Sequence, residues 1–394
     1  MPHDGGVKRR TRVAAALEAI EEHLTPPERT ERRAPAGSAG RVLAEAVTAV
    51  RDVPGYDRVT VDGYAVRAAD TVGAGGRSPA ILERGDEPGP GVAVPVTAGA
   101  PLPAGATAVV PASAATAVDG EVEIGDPVPE AAGVEPAGAD VATGERLYDA
   151  GREVEAADVA VLRAAGPEAV TVHAEPAVGV VPIGDRLVRG DPGEGEVLET
   201  DAATLARLAE ARGAVPTRRE PVPADPEPIR VALRRDLPKD LVVTVGGTGP
   251  GENDRVPAVM DAEGEVTVRG VAMEPGRTAT VGSVEGTPVL ALPGEPPACL
   301  AAALLLLGPA VRRLARRDAW PGPAVEADLE RKVESAPGIR TVVGAAVDDG
   351  RADPVALGGY AALTRADGWF AVPESREGLP AGETVTVTGF QGTP

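Results

Sequence analysis

Two stretches of the chain have the same grammar: LVVTVGGTGP at residues 241–250 and VLALPGEPP at residues 289–297. Each is a short run of mainly Val, Leu and Ala, too apolar for a surface, that runs directly into a glycine loop. A third apolar run, AVGVVPIG, follows Pro176. Helical patterns lie between and after these runs. ETDAATLARLAEARGA has a capping-type start at Thr200 or Asp201, DPEPIRVALRRDL follows it, and PPACLAAALLLLGPAVRRLARR carries proline near its start. Strands alternating with helices imply a mostly parallel, doubly wound α/β sheet over residues 176–318.

The rest of the chain has a different pattern. VKRRTRVAAALEAIEEHL has helical spacing, and AGRVLAEAVTAV is expected to form a second short helix or helix-strand. Short Val-rich strands punctuated by Gly and Pro then run from about 53 to 140. They are expected to form a β module inserted in a mixed N-terminal region, residues 1–175. GERLYDAGREVEAADVAVLRAAG returns to turn and helix. After WPGP the pattern is strands and turns again, a C-terminal β domain at 322–394. No fixed-period repeat occurs, and a length of 394 residues suits two to four domains.

Composition narrows the function. The formal net charge is −21, and the only lysines are Lys8, Lys239 and Lys332. Aromatics make up 2% of the chain, so its cores must be built from Val, Ala and Leu. This balance points to a halophilic archaeon, because strong self-repulsion is tolerable where salt screens it. A GC-rich genome produces the same bias, and the two causes can coexist. Either way the surface repels nucleic-acid phosphates. The apolar run ACLAAALLLLGPAV is too short to span a bilayer, so no membrane role is expected. One cysteine, Cys299, and a start without a signal-peptide pattern fit a cytoplasmic location. Three histidines argue against a multi-His metal site.

The glycine loops are where chemistry is expected. Ligands of open α/β sheets sit beyond the carboxyl ends of the strands. Glycines there let backbone N–H groups approach an anion, although Gly and Pro also simply make tight turns. Neither loop is a P-loop, because no Gly-Lys-Ser/Thr follows. Glu252 and Asp254 close the first loop and suit either Mg²⁺ or helix capping. Asp62, in VTVDGYAVRAAD, reads as an Asp-Gly turn or as an acid placed for function.

Six collinear motifs resemble the molybdopterin molybdenumtransferase family, the MoeA and gephyrin E-domain group. They are GRVLAEAVTAVRDVPGYDRVTVDGYAVRAAD, VTAGAPLPAGATAVVP, AGADVATGERLYDAGREV, VGGTGPGENDRV with VAMEPGRTATVG, LALPGEPPACLAAALLL and YAALTRADGWFAVPESREGLPAGETVTV. The resemblance covers nearly the whole chain. It implies a central α/β domain of the molybdopterin-binding, MoaB/Mog-like type and an elongated, dimerising subunit. It also implies insertion of molybdate, or tungstate, into adenylated molybdopterin with release of AMP and help from Mg²⁺. Other molybdenum cofactor biosynthesis proteins become expected partners.

Carried over residue by residue, the resemblance makes Asp62, Asp140, Asp225 and Asp254 catalytic, with Asp254 and Glu252 on the metal. It assigns substrate binding to Asp185 and Arg186. Gly246, Gly247, Thr248, Gly249 and Gly251 of the first glycine loop join them, as do Gly276 and Arg277. Pro293, Gly294, Glu295 and Pro296 of the second loop complete the set. Asp62 would face the glycine loops of a second subunit.

The sequence departs from the family pattern at Ala98, Arg186, Val245, Glu274 and Glu295, and LETD replaces Tyr-Asp-x-Asn at Leu198, Glu199 and Asp201. Carboxylates in place of a lysine and an asparagine repel a phosphate or molybdate unless a cation offsets them. A pocket holding both Glu274 and Glu295 would therefore need a divalent metal, with Arg186 and Arg277 on the anion. The alternatives are a silent paralogue that binds pterin or a partner as scaffold or regulator, and a nucleotide-handling enzyme sharing only the α/β fold.

Overall fold

The computed structural model describes residues 10–251, 255–318 and 322–390. They divide into two compact units, Arg32–Val172 and a second unit running up to Glu31 and again from His173 onward.

The second unit is built on a six-stranded sheet. In chain order its strands are β1 (Ala177–Pro182), β2 (Val215–Arg218), β3 (Leu241–Val245), β4 (Gly264–Arg269), β5 (Thr280–Val284) and β6 (Thr287–Leu292). Their spatial order is β2-β1-β3-β6-β5-β4. The first four of that order are parallel, as the strand–helix alternation requires. β5 and β4 extend the sheet as antiparallel strands, a feature the sequence pattern did not disclose.

All five residues of β3 are buried, Thr244 among them, which explains why the rest of the strand is apolar: both faces are covered. Leu241 and Val243 join one core with Leu205, Leu290 and Leu306. Val242 turns to the other core, with Ile229, Leu233 and Met260. Helix α1 (Asp201–Ala211) contributes Ala202, Leu205, Leu208 and Ala209 at helical spacing to the first core. Helices α2 (Pro226–Asp236) and α3 (Val256–Glu263) cover the second. Helix α4 (Pro296–Ala302) continues through a π turn at Ala303–Leu307 into α5 (Gly308–Leu314). Pro309 has no N–H to donate back along the helix, and the ladder widens just before it. The apolar stretch Pro296–Leu314 is 89% buried within the protein, so the core uses its hydrophobicity.

Asp236, with no exposed surface, sits under this sheet and accepts Arg219 Nε at 3.0 Å. A Cβ on Gly179 would lie 3.0 Å from the Asp236 carboxyl carbon, so the glycine in β1 makes room for the ion pair.

The N-terminal helix Val13–Glu21 buries Val13, Ala16 and Ile20 in the first core of the α/β unit. One expectation is corrected. The segment 39–50 forms no helix. Gly40 has φ 74°, and Val42 and Leu43 make antiparallel bridges to Glu153 and Val172. Strand partners distant in sequence outweigh the local helical preference of its alanines.

In the unit Arg32–Val172, a six-stranded sheet includes Gly63–Val66, Ala80–Arg84, Val92–Val96 and Ala108–Pro111. The helix Ala156–Ala164 starts with a capping box between Glu155 and Asp158. The C-terminal strands form a barrel. Arg340–Asp348 pairs with both Arg351–Val355 and Gly368–Val372, which closes the ring through Ala324–Leu329 and Thr384–Gly389. Closure leaves no free edge among these five strands.

Candidate active site

A cleft of about 660 Å³ opens beyond the carboxyl ends of β1, β3 and β6. This is where the topology of an open α/β sheet places ligands. The segment after β1, Ile183–Leu187, forms one wall. Gly246–Gly249 after β3 and Pro293–Pro296 after β6 form the floor, and Glu199–Asp201 at the start of α1 form a corner.

Glycine is required where these loops meet. Gly246 has φ 96°, and a Cβ there would lie 2.3 Å from the Ile183 carbonyl oxygen. Only a residue without a side chain fits both conditions. Thr248 Oγ1 lies 3.0 Å from Thr278 Oγ1, which ties the loop to the segment before β5. The start of α4 is poor in donors, because Pro296 and Pro297 occupy its first two positions and have no N–H. Donors for an anion must therefore come mainly from the loop after β3.

The corner at α1 is acidic. Glu199 is only 7% exposed. Its Oε1 accepts the Ala202 N–H at 2.6 Å, while its Oε2 has no hydrogen-bond partner. Burial, and then Glu199 beside it, push the Asp201 carboxyl up to about 6. Thr200 Oγ1 lies 2.7 Å from the Tyr360 hydroxyl, which reaches the cleft from the C-terminal barrel. Cys299 is buried beneath. Desolvation, followed by Asp201 and Glu199, raises its thiol well above the usual range, so it is unsuited to nucleophilic work.

Ten residues marked on sequence line this cleft: Asp185, Arg186, Gly246, Gly247, Thr248, Gly249, Pro293, Gly294, Glu295 and Pro296. Asp185 also has a structural task, since its Oδ1 accepts the Ala224 N–H at 2.9 Å. Asp225 is the exposed N-cap of α2, next to the cleft-lining Ala224. Gly276 does not line the cleft; a Cβ there would meet Met273 and the Ala298 carbonyl. Arg277 is exposed and precedes the cleft-lining Thr278. Gly251 is exposed at the end of the described loop, and Glu252 and Asp254 lie outside the described residues.

Glu274, expected in the anion pocket, instead lines a different cleft with Arg331, Lys332 and Thr341. Asp62 and Asp140 are exposed residues of the other unit. Asp62 does not form a simple turn. It leads directly into the strand Gly63–Val66, and its Oδ1 accepts the Ala98 N–H at 2.7 Å. A Cβ on Gly63 would lie 2.0 Å from the Val110 carbonyl oxygen, so the glycine is demanded by strand packing.

Sequence reasoning did not place Glu199, Asp201 and Tyr360 in the site. The first two stood out only as departures from a motif. The signal for Tyr360 was its rarity, as one of four tyrosines.

A family profile described as "MoeA N-terminal region (domain I and II)" matches residues 11–166. Another, described as "Probable molybdopterin binding domain", matches residues 179–313. Molybdopterin molybdenumtransferase 1 of Mycobacterium tuberculosis (strain H37Rv) is 31% identical over 307 residues, covering 70% of this chain and 72% of that protein. Molybdopterin molybdenumtransferase of Staphylococcus aureus (strain MSSA476) is 28% identical over 294 residues, 70% of each chain. The crystal structure of the molybdopterin biosynthesis MoeA protein from Pyrococcus horikosii matches with a TM-score of 0.83 at 30% identity, covering 97% of this chain and 99% of that one.

Proposed function

Since the chain belongs to the MoeA family of molybdopterin molybdenumtransferases, enzymes of molybdenum cofactor biosynthesis, we propose that its cleft takes adenylated molybdopterin and molybdate. Molybdenum passes to the dithiolene and AMP leaves. The observation that carries this reading is the meeting of Gly246 and Gly294 at the carboxyl ends of β3 and β6, which leaves the loop backbone open to a phosphate-bearing ligand. Arg186 in the cleft wall supplies positive charge to the anion, against Glu295 on the floor. Arg277, beside Thr278, is a second cation for the same role.

Mg²⁺ belongs to the proposal only in part. Among the described residues no group of three His, Cys, Asp or Glu side chains converges as metal ligands. The proposed ligands Glu252 and Asp254 lie outside those residues. A homodimer in the cytoplasm, with Asp62 supplied to the cleft by a second copy of the chain, completes the reading. Sedimentation in molar KCl at micromolar protein should give a dimer; a monomer alone would remove that part.

The test is direct. Purified protein is mixed with adenylated molybdopterin, and AMP is measured by chromatography before and after molybdate is added. Molybdate-dependent AMP release supports the transferase. Binding of adenylated molybdopterin without release would turn the reading to the silent, scaffold-type relative.

A further inference from the structure

Tyr360 has a face that the proposed reaction leaves unused. It stands at the cleft rim, 55% exposed, at the start of the short helix Tyr360–Leu363. Its hydroxyl is fixed by Thr200 Oγ1 at 2.7 Å, and Thr200 is the N-cap of α1. A phenol held at its oxygen stays at the rim, so the ring is already placed beside whatever fills the cleft. In a chain with 2% aromatics, no other aromatic among the described residues lines this cleft.

Beside it are the acids of the α1 corner. Asp201 lines the cleft, and Glu199 next to it is more than nine-tenths buried with Oε2 unpartnered. A buried carboxylate oxygen without a donor is costly, so a corner that retains one is suited to a ligand that brings N–H groups.

We propose that Tyr360, held by Thr200, is the stacking surface for the pterin ring, and that Asp201 accepts the N–H pair on that ring's amino-pyrimidinone edge. The inference rests on the reading of the cleft given above and assigns its two ends. A 2-amino-4-oxo ring presents two adjacent, parallel donors, from the amino group and the neighbouring ring N–H. A carboxylate accepts both in the same fork geometry that it uses with a guanidinium. Adenine presents one amino donor flanked by acceptors and cannot make that pair. The corner therefore selects the pterin, and the adenylate phosphate falls toward the glycine loops.

The experiment uses neopterin and AMP as separate probes, titrated calorimetrically into the full chain in molar KCl. Wild-type protein is expected to bind both. Tyr360→Ala should weaken neopterin by roughly five- to a hundredfold, the range that loss of a stacked ring commonly brings. Tyr360→Phe should stay within about threefold of wild type, since the ring remains. Asp201→Asn should weaken neopterin and leave AMP unchanged. Thermal unfolding of each variant separates loss of binding from loss of fold. Neopterin binding unchanged in Tyr360→Ala, or absent from wild type, overturns the assignment. Either result leaves the transferase reading standing if molybdate-dependent AMP release persists, and absence of that release sinks the reading itself.

Discussion

Gly294 lies so close to Gly246 that a Cβ on Gly294 would be 2.9 Å from the Gly246 Cα. The loops after β3 and β6 are thus locked backbone to backbone, and the cleft floor has no room for a side chain at either position. Gly246→Ala combines a positive φ of 96° with a 2.3 Å approach to the Ile183 carbonyl oxygen. It should cost at least about 2 kcal/mol of stability and abolish AMP release. Urea denaturation gives the first quantity. An unchanged midpoint would mean that the loop relaxes freely.

The legible part of this fold was the part written in local pattern. The Leu and Val residues of β3 and the spacing of Ala202, Leu205 and Leu208 in α1 announce elements buried by their own composition. The segment around Val42 and Leu43 was misread because its structure is set by partners more than 100 residues away in sequence, such as Glu153. The antiparallel edge of β4 and β5 was hidden for a similar reason, since β4 alternates polar and apolar residues and is only partly buried. In the cleft, the glycine loops could be read because two of them follow buried strands of one α/β sheet, where ligands sit. Tyr360 could not be read, because its role depends on a hydrogen bond to Thr200, 160 positions earlier.

Cys299 should be chemically silent. It is 1% exposed and its thiol is raised by burial and by Asp201 and Glu199. The thiolate is the reactive form, so an aromatic disulfide reagent should label the native protein only at the rate of unfolding. Labelling should be complete within seconds in 8 M urea, roughly the concentration that unfolds most small domains. Fast labelling of native protein would show that the helix α4 opens readily.

Salt should stabilise the fold. With a net charge of −21, unscreened repulsion acts on the native state when ionic strength drops. The melting temperature should therefore fall as KCl is lowered from about 2 M to about 10 mM, where the screening length grows from under 3 Å to about 30 Å. A melting temperature that does not move would leave codon bias as the sufficient cause of the composition.

Asp201 offers the sharpest test of the acidic corner. Its carboxyl is pushed from 3.8 up to about 6, by burial first and by Glu199 second. The sign follows from linkage. Between 3.8 and about 6 the folded state holds a proton that the unfolded state has lost, so stability falls as pH rises through that window. Above it the full penalty of a buried charge is present. Asp201→Asn removes that charge and should stabilise the protein at pH 8 by on the order of 1–2 kcal/mol, allowing for the residue's partial exposure. At about pH 4 the native carboxyl is already protonated, and wild type and variant should melt together. Glu199→Gln should lower the Asp201 shift without abolishing it, because desolvation is the larger cause. Stability gained alongside weaker neopterin binding is the pattern expected of a charge retained for a ligand rather than for the fold. A variant that is equally stabilised at pH 4 and pH 8 would show that the gain comes from the new amide N–H donors and not from removal of the charge.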